Sequence, residues 1–268
     1  MLKKCLSGFL LLVLSNPLLA HEFWFEPLNF KIKVDKKLKV HEKVGQDFKG
    51  NQYVYLSSSY KFLNITQGDK TRAVRSRLGD LPAINEDITE EGLVILSAET
   101  TPSDVTYEKW DKFVSFIKSK GLDWVLDKHK ARKLPEKNFV ESYRRFAKSL
   151  IKVGHGKGSD RALGLGFEWV IETNPYTIKN SEFIKARLLW KGQPHPQAHV
   201  SVFNKVAGEL IKTELKTDAE GRVEIPRAKG GLFLINAVQM IEAPIKMAEE
   251  RGAVWESHWA SVTYAIEP

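Results

Sequence analysis

The sequence predicts a mainly-β protein made of two β-sandwich domains with a short α-helical insert between them. Three observations support this fold class: residues 29–97 alternate apolar and polar side chains, residues 104–152 change to a helical period, and residues 165–268 return to alternation. We therefore divide the chain into an N-terminal β-sandwich at 21–103, the helical insert at 104–152, a linker at 153–164 and a C-terminal β-sandwich at 165–268.

The first sandwich is predicted from short alternating runs separated by turn formers. Phe30, Ile32 and Val34 fall on one face of a strand, and Leu38 and Val40 continue the pattern. Turn formers follow these runs at Gly45, Gly50–Asn51, Asn64 and Gly68–Asp69. Such spacing is typical of an antiparallel sandwich.

The helical insert is predicted from apolar residues that recur at intervals of three and four. They are Trp110, Phe113, Ile117 and Trp124 in a first group, and Phe139, Tyr143, Phe146, Ala147 and Leu150 in a second. Gly121 and Pro135 interrupt the pattern, so we expect two or three helices that pack an apolar face on a sheet.

A glycine-rich linker and a second set of strands complete the chain. The linker, VGHGKGSDRALG, lacks the spacing of a phosphate-binding loop and marks a boundary. After it, alternation resumes at 184–190 and 198–202, and Asp218 to Gly221 forms a turn before a more continuous apolar strand at 232–240. Two sheets with Greek-key connections accommodate these strands.

The first 20 residues have the pattern of a cleaved secretory signal peptide. Lys3 and Lys4 precede a short apolar run at 6–14, and Ala20 supplies the small residue at the cleavage position. The run is too short for a membrane anchor, which needs about 20 residues. We expect export to the periplasm, with His21 as the first residue of the mature chain.

Composition excludes several classes of function. The one cysteine, Cys5, lies in the predicted signal peptide, so the mature chain has no disulfide or thiolate metal site. The 41 Lys and Arg exceed the 33 Asp and Glu, and loss of Lys3 and Lys4 leaves a mature net charge of +6. These charges are interspersed, which argues against nucleic-acid binding. No later segment is apolar enough to span a membrane.

Seven segments, in order along the mature chain, resemble the exported domain-of-unknown-function 4198 family. They are HEFWFEP at 21–27, VGQDFKG at 44–50, ESYRRFAKSLIKVG at 141–154, LGLGFEWVIETNPY at 163–176, TDAEGRVEI at 217–225, INAVQM at 235–240 and WESHWASVTY at 255–264. Members of that family have often been labelled periplasmic components of nickel or cobalt uptake. The resemblance implies a divalent metal ion as ligand and a TonB-type receptor or a membrane transporter as partner.

The C-terminal region has a second resemblance. The segment LLWKGQPHPQAHVSVFN together with KTDAEGRVEI is similar to the prealbumin-like or carboxypeptidase-regulatory-like sandwich. This likeness implies a prealbumin- or immunoglobulin-like fold and no particular activity.

His21 is the leading candidate metal ligand. Cleavage after Ala20 would leave a free amine on His21, and this amine and the imidazole Nδ1 can chelate one metal ion in a six-membered ring. Nitrogen ligands of this kind suit Cu(II) and Ni(II). The arrangement resembles the copper brace of lytic polysaccharide monooxygenases and of copper-binding periplasmic proteins, which implies a third ligand.

The candidates for that third ligand are His41, His258 and Gln239. His41 lies on an early strand, and His258 lies on the last strand between two tryptophans. Relatives commonly carry a histidine where Gln239 stands, so a ligand exchanged between neighbouring strands is one interpretation. We discount His195 as a partner of His199, because the prolines beside it exclude a helix.

The remaining patterns do not indicate an enzyme. His129 and His155 are expected at the surface, and the sequence has no nucleophile elbow, zinc-protease motif or catalytic triad. The leading hypothesis is a periplasmic protein that binds Ni(II), Co(II) or Cu(II) and feeds an uptake system. The alternative is a structural or interaction module that docks on an outer-membrane receptor or another envelope partner without metal.

Overall fold

A computed structural model describes residues 21–179, 181–227 and 230–267. The predicted signal peptide, and Cys5 within it, lie outside the described residues. No helix in the part of the chain that the structure describes is long and apolar enough to cross a bilayer.

Strands form most of the fold, and three helices are described. The strands of the first half are β1 (Glu22–Pro27), β2 (Lys31–Ile32), β3 (Lys36–Gln46), β4 (Lys49–Tyr53), β5 (Tyr60–Gln67), β6 (Lys70–Ala73), β7 (Ile84–Ile88), β8 (Gly92–Thr100) and β9 (Ser103–Tyr107). Helices α1 (Trp110–Ser119) and α2 (Trp124–Ala131) follow, then β10 (Phe139–Val153) and β11 (Phe167–Ile171). The chain ends with β12 (Phe183–Trp190), β13 (Gln193–Pro194), β14 (His199–Val206), β15 (Glu209–Lys216), β16 (Arg222–Pro226), β17 (Gly231–Glu242), α3 (Ile245–Arg251) and β18 (Ala253–Ile266).

These strands form three sheets stacked as layers. The central sheet has the order β15-β14-β17-β18-β10-β8-β5-β6, with β2 and β9 paired to β10. One outer sheet places β3 beside β1, β4 and β7, and the other places β12 beside β11, β13 and β16. Strands β10 and β18 run parallel at the centre, whereas β17 and β18 are antiparallel over 12 residue pairs.

The central sheet is buried on both faces, so successive residues of one strand enter different cores. Phe146 and Leu150 of β10 point to the layer of β11 and β12, while Ala147 and Ile151 point to the layer of β1 and β3. A third core lies under α1 and α2 and contains Phe113, Ile117, Val125, Trp255 and Trp259. Side-chain alternation along these strands therefore decides which layer each residue reaches.

The mainly-β fold class is confirmed, and α1 and α2 lie within the predicted helical insert. The helix expected from Phe139 to Leu150 is wrong, because this segment is the long strand β10. Its apolar residues recur at three and four positions because both faces of the strand are buried. A strand of this kind lacks the polar–apolar alternation that identifies a half-exposed strand.

The central sheet takes strands from both predicted sandwiches, and β10 comes from the predicted insert. The two outer sheets therefore pack on opposite faces of one shared layer. The predicted domain limits themselves remain a prediction. Apart from Val153, which ends β10, the glycine-rich linker has no regular secondary structure.

A buried ion network attaches this linker to the central sheet. Lys148 of β10 is almost fully buried, and its Nζ lies 2.6 Å from Asp160 Oδ1 and 3.2 Å from Glu168 Oε1. The same ammonium donates to the carbonyl oxygens of Arg161 and Trp169, each at 3.0 Å. The linker and β11 are thus held by one lysine.

Replacing Lys148 should destabilise the protein strongly. In Lys148→Met, two buried carboxylates lose their cation, and breaking a buried pair in this way typically costs about 3–5 kcal/mol. Urea denaturation measures the effect. Lys185→Met is the matched control, because its ion pair with Glu224 is exposed and should contribute less than about 1 kcal/mol. Equal stability of the two variants would contradict a structural role for Lys148.

Another buried acid, Glu141, has no cationic partner in the described contacts. Glu141 accepts hydrogen bonds from Tyr107 Oη at 2.8 Å and from the hydroxyl of Ser257, which in turn accepts from Trp259 Nε1 at 2.9 Å. Burial raises the pKa of Glu141 to about 7, although both hydrogen bonds oppose the shift. The folded protein therefore retains a proton on this group that the unfolded chain releases at lower pH.

Stability should fall as pH rises from about 4.5 to 7, because Glu141 then holds more protons in the folded state than in the unfolded state. The full shift corresponds to about 3 kcal/mol at 1.36 kcal/mol per pKa unit. Glu141→Gln keeps the volume and removes the titration, so its free energy of unfolding should depend less on pH in this window. Urea denaturation at pH 5 and pH 8 compares the two proteins, and identical pH dependence would exclude Glu141 as the cause.

Candidate functional site

Strand β1 is held firmly, although it begins one residue after the predicted start of the mature chain. Phe23, Trp24 and Phe25 are all buried, so this aromatic run anchors the strand in the core. Ser261 of β18 donates its hydroxyl to the carbonyl of Phe23 at 2.6 Å, and Thr263 donates to the carbonyl of Phe25 at 2.7 Å. Chain termini usually fray unless they are tied down, so these contacts hold His21 in a defined place.

His21 is half-buried at one end of a cleft between β1 and α1. The cleft is lined by His21, Glu22, Gln46, Ser115, Phe116, Ser119 and Lys120. Burial lowers the pKa of His21; Arg145 and Lys120 add to the decrease, and Glu22 opposes it. The imidazole is therefore neutral near pH 7 and has a lone pair available for a metal ion.

Glu22 brings a carboxylate to the same cleft. Its side chain is 3% exposed, and Oε1 accepts from Lys120 Nζ at 2.7 Å. Oε2 is also buried but has no hydrogen-bond partner among the described residues. A buried carboxylate oxygen without a partner is costly, so this atom marks a place where a donor or a cation would be stabilised.

The other predicted ligands do not meet His21. Glu22 pairs with Gly45 and Glu26 pairs with His41, so His41 lies five positions farther along the hairpin, about 16 Å away at 3.3 Å per residue. His258 is on the far face of the central sheet, because Ser261 faces β1 and residues of even number in β18 face the opposite layer.

His258 and Gln239 lie side by side on neighbouring strands. They are directly paired between β17 and β18. The His258 ring stacks on Phe146, with centroids 5.7 Å apart, and meets Trp190 edge-on at 4.7 Å. Burial, with smaller effects of Arg144 and Lys191, lowers the pKa of His258 to about 3, so its 3.5 Å contact with Glu256 involves a neutral imidazole.

His195 joins this pair, which the sequence reasoning missed. Its ring lies 6.3 Å from Trp190, and a hydrogen bond with Gln239 partly opposes the lowering of its pKa by burial. The flanking prolines do exclude a helix, and Pro194 instead pairs with Leu189 in β13. No local sequence pattern indicates this position of His195, because its contact with Gln239 depends on tertiary packing.

The surface position expected for His129 is wrong. His129 is fully buried, accepts from Trp255 Nε1 at 3.0 Å and contacts the carbonyl of Pro135 at 3.1 Å through Nε2. Its role is to hold α2 against β18. His155 is partly exposed beside Glu91, as expected.

No three His, Asp or Glu side chains within residues 21–179, 181–227 and 230–267 converge closely enough to hold a metal ion by themselves. The chain instead offers two places where nitrogen and oxygen donors meet. One is the cleft of His21 and Glu22, and the other is the group of His195, Gln239 and His258. Any metal site needs a donor besides these side-chain types, such as an amine, an amide oxygen or water.

Comparison with known proteins gives one family match. A family described as "Domain of unknown function (DUF4198)" matches residues 18–241. No curated protein matches the chain. Among solved structures, dimeric latent PorU from Porphyromonas gingivalis is 12% identical over an alignment that covers 90% of this chain and 20% of that chain, with a TM-score of 0.17. This chain thus spans about a fifth of that protein, and a likeness at this TM-score supports no conclusion.

Loosening β1 should disturb the position of His21. Thr263→Val removes the hydroxyl that donates to the Phe25 carbonyl and contacts Ser149 at 2.8 Å. We expect a loss of about 1 kcal/mol in the free energy of unfolding and faster amide hydrogen exchange in β1. Thr106→Val is the control, because Thr106 is exposed on β9. Unchanged exchange in β1 would show that Thr263 does not hold this strand.

Proposed function

The chain belongs to the DUF4198 family, and from this premise we propose that it is an exported, periplasmic protein that binds a divalent transition metal ion through the amine and imidazole of His21. One observation carries the proposal. The anchored start of β1 places His21 in a cleft beside Glu22 Oε2, a buried carboxylate oxygen without a partner among the described residues.

The chemistry of His21 suits such a chelate. Removal of residues 1–20 would create a free amine on the Cα atom of His21. A metal ion bound by this amine and by Nδ1 would complete a six-membered chelate ring. The imidazole is already neutral near pH 7, because burial lowers its pKa. Affinity of nitrogen sites rises from Co(II) through Ni(II) to Cu(II), so this order is expected here.

Further donors lie in the same cleft. Glu22 Oε2 supplies an anionic oxygen, and the amide of Gln46 lies on the adjoining strand β3. His41 and His258 take no part in this site, which revises the third ligand from a histidine to an oxygen. Since no three His, Asp or Glu side chains converge in the described residues, the chelate proposed here depends on the amine.

The surroundings favour a carrier over an enzyme. Lys120 and Arg145 place positive charge near His21, which weakens metal binding and so favours release. The half-exposed cleft leaves room for a partner to take over the ion. We therefore propose hand-over of Ni(II), Co(II) or Cu(II) to an uptake system, through a TonB-type receptor or a membrane transporter.

The second candidate function, an interaction module without metal, is favoured by a different surface. Two loops that exchange backbone hydrogen bonds between Tyr55 and residues 79–80 carry several exposed apolar side chains. These are Tyr53, Val54, Leu56, Leu78 and Leu81. Exposed apolar groups of this kind are typical of contact surfaces. The same loops would serve as the receptor contact of a metal carrier.

Metal binding should depend on the authentic start of the mature chain. Protein that begins at His21, verified by mass spectrometry, should bind one Cu(II) or Ni(II) by calorimetry. A variant with one added glycine before His21 retains the imidazole and displaces the amine. We expect its affinity to fall by at least about 10-fold to 100-fold, the range that even outer-sphere changes produce at metal sites.

Two further variants complete this experiment. His21→Ala should lose binding at this site, whereas Glu22→Gln keeps the shape of the cleft and should weaken binding by a smaller factor. His155→Ala is the control, because His155 lies in the exposed linker. Equal Cu(II) and Ni(II) affinities for the authentic and extended proteins would overturn the proposal and favour the interaction module.

A further inference from the structure

A second group of candidate ligands lies on the opposite face of the central sheet. We propose that His258, His195 and the side-chain oxygen of Gln239 form a second metal site, which takes a divalent ion that prefers imidazole ligands, such as Zn(II). The site lies at the edge of the interface between the central sheet and the layer of β12, with Trp190 as its wall.

His258 is the most deeply buried of the three proposed ligands. It is 6% exposed, and its Nδ1 has no hydrogen-bond partner among the described residues. Buried polar atoms in native proteins nearly always have a partner. With the proton on Nε2, which faces Glu256 at 3.5 Å, Nδ1 carries a lone pair that only a hydrogen-bond donor or a metal ion can use.

The surroundings of His258 match those of a metal-bound histidine. Such a histidine usually donates its second ring N–H to a carboxylate, which fixes the ring orientation and increases ligand basicity. Glu256 Oε1 lies on this side of the ring at 3.5 Å from Nε2, a contact too long to be a good hydrogen bond, and Arg144 holds the carboxylate through Nε at 2.8 Å and Nη2 at 2.6 Å. Glu256 is 1% exposed, so its geometry is rigid.

The local charge is compatible with a cation. Arg144 is a positive charge close to His258, and both Glu256 and Glu99 pair with it, the latter at 3.7 Å. Lys191 is exposed, and its ammonium lies over the Trp190 ring at 5.2 Å. Arg144 and Lys191 both lower the pKa of His258, so a cation meets some repulsion here, which the pairing of Arg144 with two carboxylates and the exposure of Lys191 reduce.

Gln239 and His195 supply the accessible side of the site. Gln239 is directly opposite His258 in the β17–β18 ladder, and such pairs have Cβ atoms about 4.5–5.5 Å apart. His195 contacts Gln239, and both side chains are half-exposed. Two imidazoles and one amide oxygen leave a fourth position for water, which is the ligand number of an open tetrahedral site.

This proposal is independent of the His21 chelate. The two sites face opposite sides of the central sheet, and the second needs no free amine. The experiment therefore uses the mature chain with one added glycine before His21, in which the first site is disabled. Titration with Zn(II) by calorimetry and with Co(II) by visible absorption should detect one ion per chain, with the intense d–d bands of tetrahedral Co(II).

Two substitutions should shift this affinity in opposite directions. His195→Ala removes one ligand and should weaken Zn(II) binding by more than about tenfold, whereas Gln239→His supplies a third imidazole and should strengthen it by a similar factor. Both residues are half-exposed, so the variants should fold, which circular dichroism verifies. His199→Ala is the control, because His199 pairs with Glu214 at 2.9 Å outside this group.

The outcomes separate the two proposals. Absence of Zn(II) and Co(II) binding in the glycine-extended protein, or affinities within twofold for all variants, would overturn the second site. Loss of Cu(II) and Ni(II) binding on extension, measured on the same preparations, reports only on His21. A tighter Gln239→His variant together with a weaker His195→Ala variant would support the second site whatever the result at His21.

Discussion

The double burial of the central sheet is the constraint on which the rest of the structure depends. Strands β8, β10 and β18 have apolar partners on both faces, so each must present one set of side chains to the layer of β12 and another to the layer of β1. Buried charged groups within these strands must then be satisfied locally. Lys148 meets two carboxylates, and Glu141 meets two hydroxyl groups.

The same alternation sorts the candidate ligands. Residues of odd number in β18, such as Ser261, face β1 and fix the strand that carries His21. Residues of even number face the other layer, which places His258 beside Gln239 and beneath Trp190. The central sheet therefore separates the two groups of donors. His21 and His258 lie on opposite sides of this sheet and do not form one site.

The sequence predicted the parts of the fold that depend on local periodicity. The half-exposed strand β3 and the amphipathic helix α1 were both evident. The strand from Phe139 to Leu150 was misread, because burial on both faces removes the alternation that marks a strand. His195 was also missed, since its approach to Gln239 depends on packing between layers that are distant in sequence.

Unpartnered buried atoms give a physical reason to consider a bound cation, although they do not by themselves select one histidine. Several such atoms in the described residues, including Trp169 Nε1 and Arg145 Nε, belong to N–H donors that have no lone pair for a metal ion. Glu22 Oε2, His258 Nδ1, His41 Nδ1, His199 Nε2 and Asn204 Oδ1 belong to side chains that can accept. Of these, Glu22 shares a cleft with His21, and His258 is paired with Gln239. A folded chain leaves a buried acceptor empty only at a cost in stability, and a bound cation offsets that cost. The two proposed sites therefore rest on electron pairs for which the described residues provide no partner.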